Sequence, residues 1–300
     1  MDALEPGAVI VVESRRPRRD LSTLGLISSP LGYLVVFFVV PVVLVGAYSV
    51  GALTLLPQDH FLSLRPWTDL LSSDVYLGLF WKSVRMSLIV SVASLVMAYP
   101  VAYFLALVVG RRKYTLLLVT IAPFLTSYLL RVLAWRVILG EQGLITSFLR
   151  TVGLVGPDEG VRWLFYSQFA VYLVLSYVWV PFVALPIFVT LENMDRTLLE
   201  ASSDLGAGRW RTFWTITFPL SIPGVIAAFI FVFIPTIGEY VTPLLVGGPN
   251  GFFFGNAIQG AILQGFDWQV GAAMAMFLVG TVTVLLVLFG RYLNVRAVAE

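Results

Sequence analysis

The chain has 300 residues, 59% of them hydrophobic and only 12% charged, with a net charge of +2 and a mean hydropathy of +0.91. Soluble domains average about 25% charged residues, so this composition excludes an ordinary soluble enzyme or binding module and places the chain in a lipid bilayer. The absence of cysteine excludes a disulfide framework, a thiolate metal site and a cysteine nucleophile.

Arg15, Arg16, Arg18 and Arg19 precede the first apolar run, over 26–50. A secretory signal has an apolar core of about 7–15 residues and a small-residue cleavage site. This run is longer and no such site follows, so residues 1–25 read as an N-terminal tail and 26–50 as a retained first span. A membrane-crossing helix needs about 20 apolar residues. Five more segments qualify, at 84–109, 114–139, 164–191, 221–246 and 270–290. The expected fold is an all-α integral membrane protein with six transmembrane helices over 26–295, followed by a short tail over 296–300. The third span carries Arg131 and Arg136, and the fifth carries Glu239. Pro41, Pro100, Pro123, Pro181, Pro186 and Pro235 fall inside spans, where neighbouring helices can satisfy the freed carbonyls. Residues 251–266 are apolar but interrupted by Gly255, Gly260 and Gly265, which predicts a periplasmic or interfacial helix and not a seventh span.

Basic residues orient the spans. Twelve lysines and arginines lie on the side of the two tails, the turn at Arg111–Lys113 and the loop over 195–220; four lie on the other side. Both termini and that loop are therefore expected in the cytoplasm. The loop reads as two short helices. Asp195 suits an N-cap, Arg196 and Glu200 are spaced to pair, and Gly206 suits the position after a helix end. A second helix over 208–217 leads to Pro219 and Pro223. Ala201, Ser202 and Ser203 give the first helix a side of small residues that another protein can approach closely.

The order Glu200-Ala201-Ser202, Gly206, Ile216, Pro219 resembles the EAA motif of bacterial ABC-importer permeases, EAA-x3-G-x9-I-x-L-P. Ser202 stands where that family usually has alanine, and Phe218 where it has leucine. The resemblance implies that Glu200, Ala201, Ser202, Asp204, Gly206, Arg209, Ile216 and Pro219 couple the chain to a separate ATPase. It also implies a second homologous permease subunit, two ATPase subunits, a periplasmic or lipid-anchored solute-binding protein, and residence in the bacterial inner membrane. No nucleic acid partner, metal or bound cofactor is expected. A phosphate-binding loop needs Gly-Lys-Ser/Thr. Lys82 and Lys113 are the only lysines and neither follows a glycine, so ATP and magnesium would belong to the partner.

Over about 80–295 the chain resembles the spermidine/putrescine branch of these permeases. The residues that carry this are Phe233 to Val241, Pro243 to Gly248, Asp267-Trp268, and Arg131 to Trp135 with Gly140 to Gly143. Permeases for opines, thiamine, phosphonates, iron and amino acid-like solutes share parts of these patterns. An acid in a span is costly unless it meets water, a partner or a ligand. Glu239, with Tyr240, Tyr172 and Trp179, is thus a candidate for meeting an ammonium group. The alternative for Glu239 is a structural role, pairing with Arg131 or Arg136 or capping a broken helix. Asp267 beside Trp268 faces a similar choice, a cation contact or the cap of the sixth span. Arg131 and Arg136 would repel a polyamine, which points them at an interface or a carboxylate, or else points to an anionic cargo. An ion-coupled transporter would show an inverted repeat and further intramembrane acids, and a membrane enzyme would show clustered catalytic groups. Neither is visible.

Overall fold

A computed structural model describes residues 21–154, 156, 161 and 164–297. The four tail arginines, Arg162 and the last three residues lie outside them, so the tails and part of the charge count are not described. Every regular element among the described residues is helical. Six helical segments are long and apolar enough to cross a membrane: Ser28–Ser49, Asp74–Val108, Tyr128–Thr151, Gln168–Glu192, Arg209–Ile237 and Trp268–Gly290. Helices suit this role because they satisfy their backbone groups internally, without water.

Three of these segments differ from the sequence expectation. Span two begins at Asp74, ten residues early, where the Ser73 hydroxyl accepts the Tyr76 N–H. At about 1.5 Å per residue it exceeds a hydrocarbon core of about 30 Å, so one end projects beyond the lipid. The expected third span is in two pieces. A helix over Lys113–Ile121 passes through a tight turn at Ala122–Leu125, and a new helix starts at Tyr128. Thr126 Oγ1 donates to the Pro123 carbonyl at 2.6 Å and closes the break. The expected fifth span is also interrupted. It runs over Phe218–Ile237, stops at Gly238–Tyr240 and resumes as Val241–Val246.

Spans two, four and five form the core. Met86, Val90, Ala98 and Ala102 of span two meet Val171, Val174, Leu175 and Ile187 of span four and Ala228 and Val232 of span five. Lipid supplies no hydrophobic drive between helices, so close backbone approach has to supply the packing. Ser83, Ser87, Ser91 and Ser94 are all buried along span two, and Ser94 Oγ donates to the Ser176 carbonyl at 3.2 Å. At Gly224 of span five, a Cβ would stand 2.4 Å from Thr190 Oγ1 and 2.8 Å from the Pro186 carbonyl. Span one lies at the edge against span six, with Gly46 on Met276. Its Phe37 and Phe38 are exposed on the apolar surface.

The segment over 251–266 contains a ten-residue helix, Phe254–Leu263. Phe254 is fully buried against Phe80 and Phe277 of spans two and six. At Gly255 a Cβ would stand 2.6 Å from the Gly238 carbonyl, so this helix rests directly on the break in span five.

Candidate functional site

Two sites stand at opposite ends of the bundle. The first is the loop between spans four and five. Its first helix spans Thr197–Asp204. Asp195 Oδ1 accepts the Thr197 N–H at 3.0 Å, so it caps from one residue farther out than expected. The Thr197 amide and then its hydroxyl hold the Asp195 carboxyl below its ordinary range. The helix ends in a Schellman turn. Gly206 N–H donates to the Ser203 carbonyl and Ala207 N–H to that of Ser202, at 2.9 and 3.0 Å. Gly206 sits at φ +75° in open space, so only the backbone conformation demands glycine there.

The second helix is not a separate element. Arg209–Thr212 passes through a π turn at Phe213–Thr217 straight into span five. Phe218 N–H reaches back five residues to the Phe213 carbonyl. Pro219 has no N–H to give, and the widened turn removes the clash its ring would make in a regular helix. The loop is therefore joined to span five through continuous helix.

Ser202 corrects one expectation. It is buried, and its hydroxyl meets Thr212 Oγ1 at 2.8 Å, so it joins the two loop helices to each other and leaves the outer surface to its neighbours. Glu200, Ala201, Asp204, Gly206 and Arg209 are exposed, Ile216 is half-buried, and Pro219 is exposed. Arg196 does not pair with Glu200. It approaches Glu192 at 3.9 Å and donates to the Ala106 carbonyl at 3.1 Å, while Lys113 takes the other Glu192 oxygen. These contacts tie the loop to the ends of spans two and four. An aromatic cluster adds to the tie: Tyr99 and Tyr103 of span two pack on Phe213 with ring centres 5.7 and 5.9 Å apart. Sequence reading also missed Leu205 and Trp210, which stand 88% and 74% exposed on the loop.

The second site lies at the far end, where the breaks in spans three and five meet. Glu239 Oε1 accepts the N–H groups of Val241 and Thr242 at 2.8 and 3.0 Å and caps the short helix they begin. The Tyr128 hydroxyl lies 2.5 Å from Thr242 Oγ1 and also beside Glu239. Asn256 Nδ2 donates to the Tyr240 carbonyl at 2.9 Å. The Tyr240 ring is exposed.

The other candidates are dispersed. Tyr172 donates to Gln168 Oε1. Trp179 lies seven residues deeper on span four, a rise of about 10 Å, edge-on to Phe182 and Phe231. Its indole nitrogen is buried without a hydrogen-bond partner among the described residues. Asp267 Oδ1 accepts the Val270 N–H at 3.2 Å and caps span six. Trp268 turns away from it, edge-on to Tyr48 of span one. Neither Arg131 nor Arg136 pairs with Glu239 among the described residues. The Arg131 guanidinium lies 4.7 Å over the Phe124 ring, with Nε and Nη1 buried and unpartnered. Arg136 is exposed.

Residues 75–298 match the family described as the binding-protein-dependent transport system inner membrane component. The spermidine/putrescine transport system permease protein PotB of Escherichia coli K12 is 32% identical over 271 residues, covering 89% of this chain and 96% of that protein. The inner membrane ABC transporter permease protein YdcU of the same organism is 34% identical over 262 residues, covering 80% and 81%. A solved bacterial ABC transporter involved in import of the acidic polysaccharide alginate superposes with a TM-score of 0.70 at 17% identity, covering 93% of this chain and 96% of that one. That likeness concerns the fold.

Proposed function

We propose that this chain, which belongs to the family of binding-protein-dependent transport system inner membrane components and is therefore a multi-pass inner-membrane permease subunit of an ABC importer rather than an enzyme, carries spermidine, putrescine or a similar small organic cation. The observation that carries the coupling half is the loop: an exposed helix over Thr197–Asp204, turned by Gly206 and continued without interruption into span five. In this reading both termini and the loop are cytoplasmic. Glu200, Ala201, Asp204 and Arg209, with Leu205 and Trp210, dock on one of two ATPase subunits. Ser202, Gly206, Ile216 and Pro219 give the loop its shape. ATP-driven closure of the ATPases shifts the population of the bundle between inward and outward access.

The similarity to PotB supports the polyamine cargo. A second, homologous permease supplies the other half of the pathway, and a solute-binding protein delivers the cargo at the far end. Tyr240, Tyr172 and the Trp179–Phe182–Phe231 group offer ring faces to an ammonium ion. Glu239 offers the negative charge, through the carboxylate oxygen not used on the two amides. Asp267 and Trp268 contribute to span six rather than to the pathway.

The test is uptake by the purified complex in proteoliposomes loaded with ATP and supplied with its binding protein. Accumulation of labelled spermidine or putrescine is the expected result. Failure of both, with accumulation of an anionic solute, would overturn the cargo and turn attention to the unpartnered nitrogens of Arg131.

A further inference from the structure

Regular helix in span five stops at Ile237 and resumes at Val241, so helical geometry does not set the directions of Glu239 and Tyr240. A brace reaches them from outside the span. Asn256 stands at the third position of the outer helix Phe254–Leu263 and is 2% exposed. Its side-chain amide is used at both ends. Oδ1 accepts the Phe253 N–H at 3.2 Å, closing the start of its own helix. Nδ2 donates to the Tyr240 carbonyl at 2.9 Å. Gly255 permits the approach, since a Cβ there would stand 2.9 Å from the Glu239 carbonyl. The outer helix is in turn fixed to spans two and four. The Phe254 N–H donates to Ser83 Oγ at 2.9 Å, and Lys82 Nζ donates to the carbonyls of Asn250 and Phe252. Gln168 Nε2 donates to the same Asn250 carbonyl at 3.0 Å. Asn256 is thus the point where a support standing on spans two and four meets the break in span five.

We propose that Asn256 is a positioning residue of the cargo site: by tying the Tyr240 carbonyl to this support, it aims the Tyr240 ring and the Glu239 oxygen not used on the two amides at an incoming ammonium group. The assignment rests on the reading of Glu239 and Tyr240 as cargo contacts. An amide suits the place because it accepts on one side and donates on the other. In Asn256→Asp the ionised carboxylate can only accept, and it sets a second negative charge near Glu239. The protonated carboxyl accepts from Phe253 and donates to Tyr240, which restores the pattern. Burial favours that neutral form.

The complex, in ATP-loaded proteoliposomes with saturating binding protein and labelled putrescine or spermidine, is read for polyamine accumulated per ATP hydrolysed. A residue that only held the fold together would lower uptake and hydrolysis alike and leave this ratio unchanged. Asn256→Ala should lower the ratio about fivefold, the scale of one lost hydrogen bond. Asn256→Asp should be as low at about pH 8 and return toward wild type at about pH 5. Wild type and Asn256→Ala, followed over the same range, account for titration of Glu239, Tyr240 and Tyr128 at the break, Tyr76 and Lys82 on span two, and Asp267 ahead of span six. Lys82→Met, at a half-buried position on the support, should lower the ratio about twofold and tests the assignment even where position 256 tolerates no change. An unchanged ratio in Asn256→Ala or Lys82→Met, or no acid recovery in Asn256→Asp, would overturn the assignment while wild type still carries polyamine. Absence of polyamine uptake by wild type would overturn the cargo reading and this assignment with it.

Discussion

Tyr128 is the first and Thr242 the second residue of the helix that follows a break in a span, and their hydroxyls meet at 2.5 Å. The interruptions ahead of Tyr128 and at Gly238–Tyr240 thus meet as one feature, shared by spans three and five. A hydroxyl bond of this kind contributes about 0.5–1.5 kcal/mol. Tyr128→Phe and Thr242→Val should each lower the midpoint of thermal unfolding by a few degrees. The double variant should cost less than the sum, because the two residues form one contact. Additive losses in a thermal melt of the detergent-solubilised complex would show that the hydroxyls act separately.

Glu239 carries two roles that substitution can separate. Glutamine keeps an oxygen able to accept the amides of Val241 and Thr242, whereas leucine keeps none. Glu239→Gln should assemble normally and lose most polyamine uptake, while Glu239→Leu should also destabilise the far end by about 1–3 kcal/mol, the cost of unpaired buried amides. Equal uptake by wild type and Glu239→Gln would leave the carboxylate with capping alone.

Hydropathy made the six spans legible, because about 20 apolar residues in a row have few other uses. Proline did not make the breaks legible. Pro100, Pro181, Pro186, Pro223 and Pro235 all lie within continuous helix, and Pro123 looks no different in the sequence. What separates Pro123 is the Thr126 hydroxyl, which satisfies the carbonyl that a continuing helix would have used. The start of span two was hidden by Lys82, which read as a loop residue and put the expected start at 84. Lys82 instead reaches out of the helix to the carbonyls of Asn250 and Phe252 at 2.7 and 2.9 Å. In the loop, the motif spacing located the Gly206 turn. It could not reveal that Ser202 faces Thr212, since that contact depends on how two helices fold back on each other.

At Gly206 the space beyond the Cα is open, so a side chain there costs only the backbone strain of φ +75°. For a β-branched residue this is about 1–3 kcal/mol. Gly206→Val should reduce substrate-stimulated ATP hydrolysis well below wild type with insertion intact, and Gly206→Asn should retain most of it, because asparagine tolerates this conformation. Reversal of the exposed Glu200 to lysine should also uncouple hydrolysis, without loss of thermal stability. Unaltered stimulation in both Gly206→Val and Glu200→Lys would detach this loop from the ATPase.

Asp59 sets a pH limit on the first far-end loop. Burial raises its pKa, but the Tyr48 hydroxyl, the Leu56 and Leu55 amides and nearby His60 outweigh that and hold it below 3.8. A carboxyl whose folded pKa is depressed stabilises the fold above its unfolded value and loses that contribution as the pH falls through the folded one. The loop should therefore stay closed across the neutral range and loosen only below about pH 4, where an unperturbed aspartate gains its proton. Asp59→Asn, which keeps an acceptor oxygen but no charge, should remove that acid transition and leave the loop more mobile at pH 7. Pulsed hydrogen exchange over 51–64 reads both effects. An acid transition that persists unchanged in Asp59→Asn would assign it to another carboxyl.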